Sequence, residues 1–336
     1  IAQDTVSGKE FPIRAKVTVN ATGPWGDLVL GKLHKNPIRK LMRSKGIHLL
    51  FPRFHKNTTI GIETRDKHHI FLIPWGNYSL LGTTDTEFTG DPDDLNVTRD
   101  DAEAFLNQFN EYFPQHKTLT DVVNTYAGLR PLVAESSVTS TYKASRRHEI
   151  VNHRKQENID GLISVFGGKW TTSRALAEET VNLIEKKFGF PRRRSVSHKT
   201  PVVGGAVGPR LATFIAAAHD RWDKVFPAQL IDHLIEIYGA LYERVLDYAI
   251  KDKSLLRPID AEYPFIYAEI YYAVEQEMAL TLGDFLKRRC GLGNMGFISD
   301  AALSSVAGTM GDLLRWDNTR RKEEVALFKK SRSIIG

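Results

Sequence analysis

Cysteine is nearly absent from this sequence: Cys290 is the only one among 336 residues. That excludes an internal disulfide and suits a reducing compartment. Cysteine and histidine never gather at zinc-site spacing, so no metal is expected. No apolar run reaches the ~18 residues of a membrane-spanning helix. Neither a signal nor a transit peptide opens the chain. Internal repeats and low-complexity tracts are also missing. So is a complete phosphate loop: Trp170 follows Gly168-Lys169, and Ile163 stands where a Walker loop has its first glycine. VVGGAVGPR (202–210) fails as a dinucleotide fingerprint, because Ala206 replaces the second glycine and Pro209 occupies the expected helix start. Asp91, Asp93 and Asp94 lack the spacing of a calcium loop. What the chain has in excess is positive charge, +6 with a pI near 9.2, which suits an anionic substrate, an anionic membrane surface or plain solvated surface. Nucleic acid is not an expected partner. The densest basic run, Arg192-Arg193-Arg194, is short and has no interleaved aromatics.

Residues 1–23 read as a hairpin turning at Ser7-Gly8-Lys9, followed by a buried strand over 17–20. This is the middle of a domain, and residues upstream are expected. Strand patterns at 47–51, 59–63, 70–74 and 79–83, separated by turn residues, predict an antiparallel sheet. Thr98 caps a helix with Phe105 and Phe109 on its apolar face. Further strands are expected at 121–127 and 137–145, with Gly128-Leu-Arg-Pro turning the chain between them. Beyond about residue 210 the pattern is helical: Ile231, Leu234, Ile235 and Tyr238 share one face, and Tyr267, Ile270, Tyr271 and Val274 another.

SVFGGKWTTSRALAEE (164–179) places two glycines, a lysine and two threonines between a strand pattern and a helical one. Glycine allows close approach to the backbone. A helix start offers unpaired N–H groups and partial positive charge. An anionic or electron-rich ligand fits there, and so does an ordinary strand-to-helix turn.

Seven segments, in order, resemble one family: VNATGPW (19–25), KGIHLLFPR (45–53), FLIPWGNYSLLGTTDTEFTGDP (71–92), YAGLRPL (126–132), the arginine pair 146–147, SVFGGKWTT (164–172), and EYPFIYAEIYYAVEQEMALTLGDFLKRRCGLG (262–293). Together they are similar to the FAD-dependent, quinone-linked sn-glycerol-3-phosphate dehydrogenases. The likeness spans most of the chain except roughly 190–255. It implies an α/β plus α fold. Residues 1–30 and 159–190 would be parts of a glutathione-reductase-like FAD domain, 31–158 an antiparallel-sheet substrate domain, and 191–336 a helical C-terminal domain. The family's GxGxxG loop lies upstream of the matching segments.

The resemblance implies oxidation of glycerol 3-phosphate to dihydroxyacetone phosphate, with hydride passing from C2 to flavin N5. Ala21, Thr22, Gly23, Trp25, Gly167, Gly168, Lys169, Thr171 and Thr172 would line the FAD. His48, Arg130 and Lys169 would be catalytic, and Arg146 would join them in binding substrate, with Arg147 as the register alternative. Thr83, Thr84 and Asp85 match a segment near the active site. Read from the residues alone, His48 also fits a satisfied core histidine and Arg130 a structural ion pair. A membrane quinone, peripheral contact with the cytoplasmic face of the inner membrane and a homodimer complete the implied picture. Trp222, Phe226 and the 315–330 helix are the candidate membrane-contacting surface, or ordinary helix surface.

Overall fold

In the computed structural model of the chain, residues 1–33, 41–65, 67–133, 147–191, 193–296 and 298–332 are described. The expected strand 137–145 and Arg146 lie outside them.

The first residues form the expected hairpin, β1 (Ala2–Gln3) with β2 (Glu10–Phe11). β3 (Thr18–Asn20), a short turn at Gly23–Trp25 and α1 (Gly26–Gly31) follow. Next come β4 (Leu41–Pro52), β5 (Ile60–Glu63), β6 (His69–Trp75), β7 (Tyr78–Gly82) and β8 (Thr86–Glu87), antiparallel as predicted. α2 (Arg99–Asn110) begins in a capping box: Thr98 Oγ1 accepts from Asp101 N, and the Asp101 carboxylate accepts from Thr98 N. β9 (Asn124–Val133), β10 (Glu149–Asn152), α3 (His153–Glu157), β11 (Leu162–Phe166) and α4 (Ser173–Phe188) lead to a helical run. It comprises α5 (Leu211–Trp222), α6 (Ala228–Tyr238), α7 (Tyr242–Lys251), α8 (Tyr267–Glu277), α9 (Asp300–Leu314) and α10 (Asn318–Lys330).

Three local expectations need correction. Gly128-Leu-Arg-Pro is no turn but the interior of β9. Gly128 keeps an ordinary negative φ, and the fixed φ of Pro131 is tolerated in extended chain where no ladder donor is required. β3 is not a buried strand: only Asn20 is buried and Val19 is 40% exposed. It has a neighbour on one side alone among the described residues. In α4 the helix forms as expected, but of the apolar residues at helical spacing along it, Ala175, Leu176, Val181 and Ile184, the first and third are exposed.

The chain packs as two compact units whose segments alternate. The first is Ile1–Ile47, Thr83–Asn96 and Ala127–His198; the second is His48–Gly82, Val97–Tyr126 and Lys199–Gly336. In the first unit β11 lies between β10, antiparallel, and β3, parallel. Its core joins Leu30, Leu41, Val151, Leu162 and Phe166. The second unit holds β5, β6, β7 and residues 48–52 of β4, together with all the helices from α5 onward. Ile231, Leu234, Ile235 and Tyr238 are buried there as predicted. The buried carboxylate of Glu269 accepts from Ile266 N (2.6 Å) and Tyr238 OH (3.1 Å), with His233 Nε2 at 3.1 Å. A polar group so enclosed is tolerated only when its oxygens are satisfied in this way. Phe226 lies in the same core, and Trp222 and Trp316 pack against it. These residues are therefore not an exposed apolar patch. Among the described residues, no helix is long and apolar enough to cross a membrane.

Candidate active site

The parallel pairing of β3 and β11 organises the first unit. Thr18 faces Leu162, Val19 faces Ile163 and Asn20 faces Ser164. Both strands therefore leave the sheet at the same end, their carboxyl end. In open α/β sheets that is where ligands bind.

After β3 the buried Asn20 shapes the turn. Its amide donates to Gly26 O (2.9 Å) and accepts from Thr22 Oγ1 (2.7 Å). Gly23 sits at φ +59°, a conformation that favours glycine. At Gly26 a Cβ would meet the Phe166 ring at 2.8 Å, so α1 starts hard against the end of β11. From below, Asp27 accepts from Leu41 N (3.2 Å) and pairs with Arg43 (2.5 Å), which also donates to Pro24 O (2.9 Å). Trp25 Nε1 donates to Asp93. Ala21 and Thr22 are exposed at the tip.

After β11, Gly167 (φ +67°) and Gly168 (φ +98°) are both left-handed. A side chain on Gly167 would collide with the backbone carbonyl of Arg147. Lys169, Thr171 and Thr172 are exposed, and Trp170 is 94% exposed. Thr172 Oγ1 donates to Lys169 O (3.2 Å) and Ser173 Oγ to Trp170 O (2.8 Å), closing the turn that leads into α4. No acidic side chain lies between 167 and 173. The residues expected around a cofactor, 21–25 and 167–172, are thus brought to adjoining strand ends. The sequence reading passed over Asn20 and Trp170. Their signal was position, a polar residue ending a strand and an aromatic one after paired glycines.

Arg130 lies in β9, its guanidinium held by at least three acceptors among the described residues. Nη1 donates to Ser44 Oγ (3.2 Å) and Thr84 O (3.2 Å), and Nη2 to Thr83 Oγ1 (3.0 Å). Ser44 Oγ in turn donates to Asp85 (2.8 Å), so a carboxylate stands one hydroxyl away from the cation. Thr84 Oγ1 accepts from Ile47 N (3.1 Å), fixing this segment to β4. Thr83, Thr84 and Asp85 are therefore gathered around Arg130.

His48 belongs to the second unit, half-buried, with its ring over Gly82. Arg147 is exposed at the start of the segment leading into β10. In the first unit, Nε2 of the fully buried His153 is hydrogen-bonded with Ser164 Oγ (2.8 Å), and its Nδ1 lies 3.1 Å from the Glu157 carboxylate without making a hydrogen bond to it. Among the described residues no group of His, Cys, Asp and Glu side chains could hold a metal.

Glycine turns at the carboxyl ends of neighbouring parallel strands, one leading into a long helix, define a class: α/β proteins that bind a nucleotide cofactor. The chain belongs to the FAD dependent oxidoreductase family, whose pattern matches residues 2–183. Residues 195–321 match the C-terminal domain of alpha-glycerophosphate oxidase. The chain is 28% identical over 345 residues to the mitochondrial glycerol-3-phosphate dehydrogenase of Arabidopsis thaliana, covering 98% of this chain and 53% of that protein. It is 32% identical over 307 residues to the aerobic glycerol-3-phosphate dehydrogenase of Bacillus subtilis, covering 87% and 53%. Among solved structures, the FAD complex of the glycerol-3-phosphate dehydrogenase from Bacillus halodurans superposes with a TM-score of 0.80 at 27% identity, covering 99% of this chain and 65% of that one. The chain spans about half the length of the Arabidopsis and B. subtilis proteins.

Proposed function

We propose that this chain is the substrate-side part of an FAD-dependent dehydrogenase that oxidises glycerol 3-phosphate to dihydroxyacetone phosphate. The observation that carries this reading is the meeting of two glycine turns, 21–25 and 167–172, at the carboxyl ends of β3 and β11. The names of the matched relatives support the substrate.

The residues fit the cofactor. At Gly23 the space that a side chain would fill is open, and the turn before α4 carries no acid that would repel an anion. Ala21, Thr22, Trp25, Lys169, Thr171 and Thr172 complete the set that would hold FAD. When bound, FAD supplies the acceptor for the hydride lost from the alcohol carbon. Arg130 stays protonated at any working pH, so its anchored guanidinium presents a fixed positive charge to the substrate's phosphate or hydroxyl. Arg146 is assigned a second phosphate contact. His48 takes the hydroxyl proton, a role that suits a histidine side chain as a residue type. Lys169 adds a cation beside the glycine turn.

Electron delivery to a membrane quinone, from a peripheral position on the cytoplasmic face of the inner membrane, and a homodimeric state belong to the same proposal. A second reading, an oxidase that uses oxygen, is favoured by the match of residues 195–321 to a domain of alpha-glycerophosphate oxidase. Hydrogen peroxide formed in step with substrate would select the oxidase; reduction of a quinone analogue without peroxide would select the dehydrogenase.

The decisive assay uses the FAD-loaded protein with glycerol 3-phosphate and an electron-accepting dye. Arg130→Ala should lower kcat/KM by about 10²–10³. A loss under about threefold would remove Arg130 from the site. No dye reduction by the wild-type protein would reject the function itself.

A further inference from the structure

Gly46 lies buried in the interior of β4. Glycine there weakens a strand by roughly 0.5–1 kcal/mol relative to alanine. Its φ is not positive, so the backbone does not require it. The requirement comes from what lies over it. A Cβ on Gly46 would stand 2.6 Å from Arg130 Nη2, 2.7 Å from Arg130 Nη1 and 2.6 Å from Thr83 Oγ1.

We propose that Gly46 is the positioning residue for Arg130: its missing side chain is the slot that the two terminal nitrogens of the guanidinium occupy over β4. This rests on the reading of Arg130 given above and deepens it. Carbon needs about 3.5 Å from such atoms, so a methyl group would push the guanidinium outward by roughly 1 Å. Thr84 O is a backbone acceptor and Ser44 Oγ is held by its bond to Asp85, so the bonds to Ser44 Oγ, Thr84 O and Thr83 Oγ1 could not all survive that shift. The Thr83 hydroxyl can rotate aside; the guanidinium has no such escape while it keeps its three acceptors. A displacement of about 1 Å at a charged anchor is enough to cost on the order of 10²-fold in rate. Gly46 thereby sets where the cation meets a small phosphorylated alcohol without touching the substrate.

The test compares wild type, Gly46→Ala, Arg130→Ala and the double variant as FAD-loaded proteins with glycerol 3-phosphate. Gly46→Ala should retain the flavin absorption band and lower kcat/KM by about tenfold to a hundredfold. In the Arg130→Ala background the same change should add less than about twofold, because its effect passes through the guanidinium. Added guanidinium ion should partly restore Arg130→Ala by entering the vacated slot, and should not restore the double variant. A Gly46→Ala loss under about threefold, or one equally large without Arg130, would overturn the assignment. If Gly46→Ala does not fold alone, the double variant must fold, since the collision with the guanidinium is gone and the Thr83 hydroxyl can rotate aside; a double variant that is equally unfolded overturns it too. An Arg130→Ala loss under about threefold would instead bring down the reading of Arg130 itself, and with it the role of Gly46.

Discussion

The imidazole of His48 rests on the backbone of Gly82, its partner across the β4–β7 ladder, so closely that a Cβ at position 82 would stand 1.8 Å from the ring's Cδ2. The ring's place is made by the absence of a side chain opposite it. Gly82→Ala must drive the imidazole out, and overpacking of this kind costs about 1–3 kcal/mol. Chemical denaturation should show that loss in the wild-type background and under about 0.5 kcal/mol of it in His48→Ala, where the space is free. Equal losses in both backgrounds would mean that the ring and the glycine are not coupled.

Gly167 combines a left-handed backbone with a neighbouring main-chain carbonyl, that of Arg147. Alanine would bear about 1–2 kcal/mol of conformational strain and a clash with backbone, which yields less readily than a side chain. Gly167→Ala should bind FAD at least about tenfold more weakly, each 1.4 kcal/mol being a factor of ten. Titration of the apoprotein with FAD measures this, and unchanged affinity would argue against the turn as a cofactor contact.

Asn20 both donates and accepts at the end of β3. Asn20→Ala leaves Gly26 O and the Thr22 hydroxyl without that partner, at a cost of about 1–3 kcal/mol for the buried group. Asn20→Asp retains the acceptor and loses the donor, so it should restore little. Thermal unfolding and flavin release on mild heating should move together in both variants.

His219, near the end of α5, lies between two carboxylates: Nδ1 is 2.8 Å from Asp223 and Nε2 is 2.9 Å from Asp232 of α6. Hydrogen bonding to Asp223, then to Asp232, raises its pKa above the ordinary 6.5. The folded state therefore holds this proton more tightly than the unfolded chain. The stabilisation is complete below about pH 6.5 and is lost as pH rises through the higher folded value. The Tm difference between wild type and His219→Gln should be widest in mild acid and should close in alkali. Added salt should narrow it, since the pair is solvent-facing. A gap that widened with pH would refute the clamp.

Legibility in the sequence followed the range of the forces involved. The Thr98 cap, the α6 face of Ile231, Leu234, Ile235 and Tyr238, and the glycine turn before α4 are set by residues a few positions apart, and all were readable. Arg130 was singled out, but its setting was misread, because Gly128 and Pro131 signal a turn unless long-range pairing imposes extended chain. Gly46 and Gly82 looked like unremarked strand glycines. Their reasons lie on Arg130 and His48, 84 and 34 positions away. The alternation of segments between two compact units was likewise beyond any local pattern.

Cys290 is 2% exposed, its sulfur directed at Leu286 O, and burial, aided by the Glu269 carboxylate, pushes its thiol pKa well up. A sealed, protonated thiol is a poor nucleophile. Within this sequence, a cysteine introduced on the surface would then be the sole reactive handle, so maleimide dyes or spin labels could be attached at chosen positions without first removing the native residue.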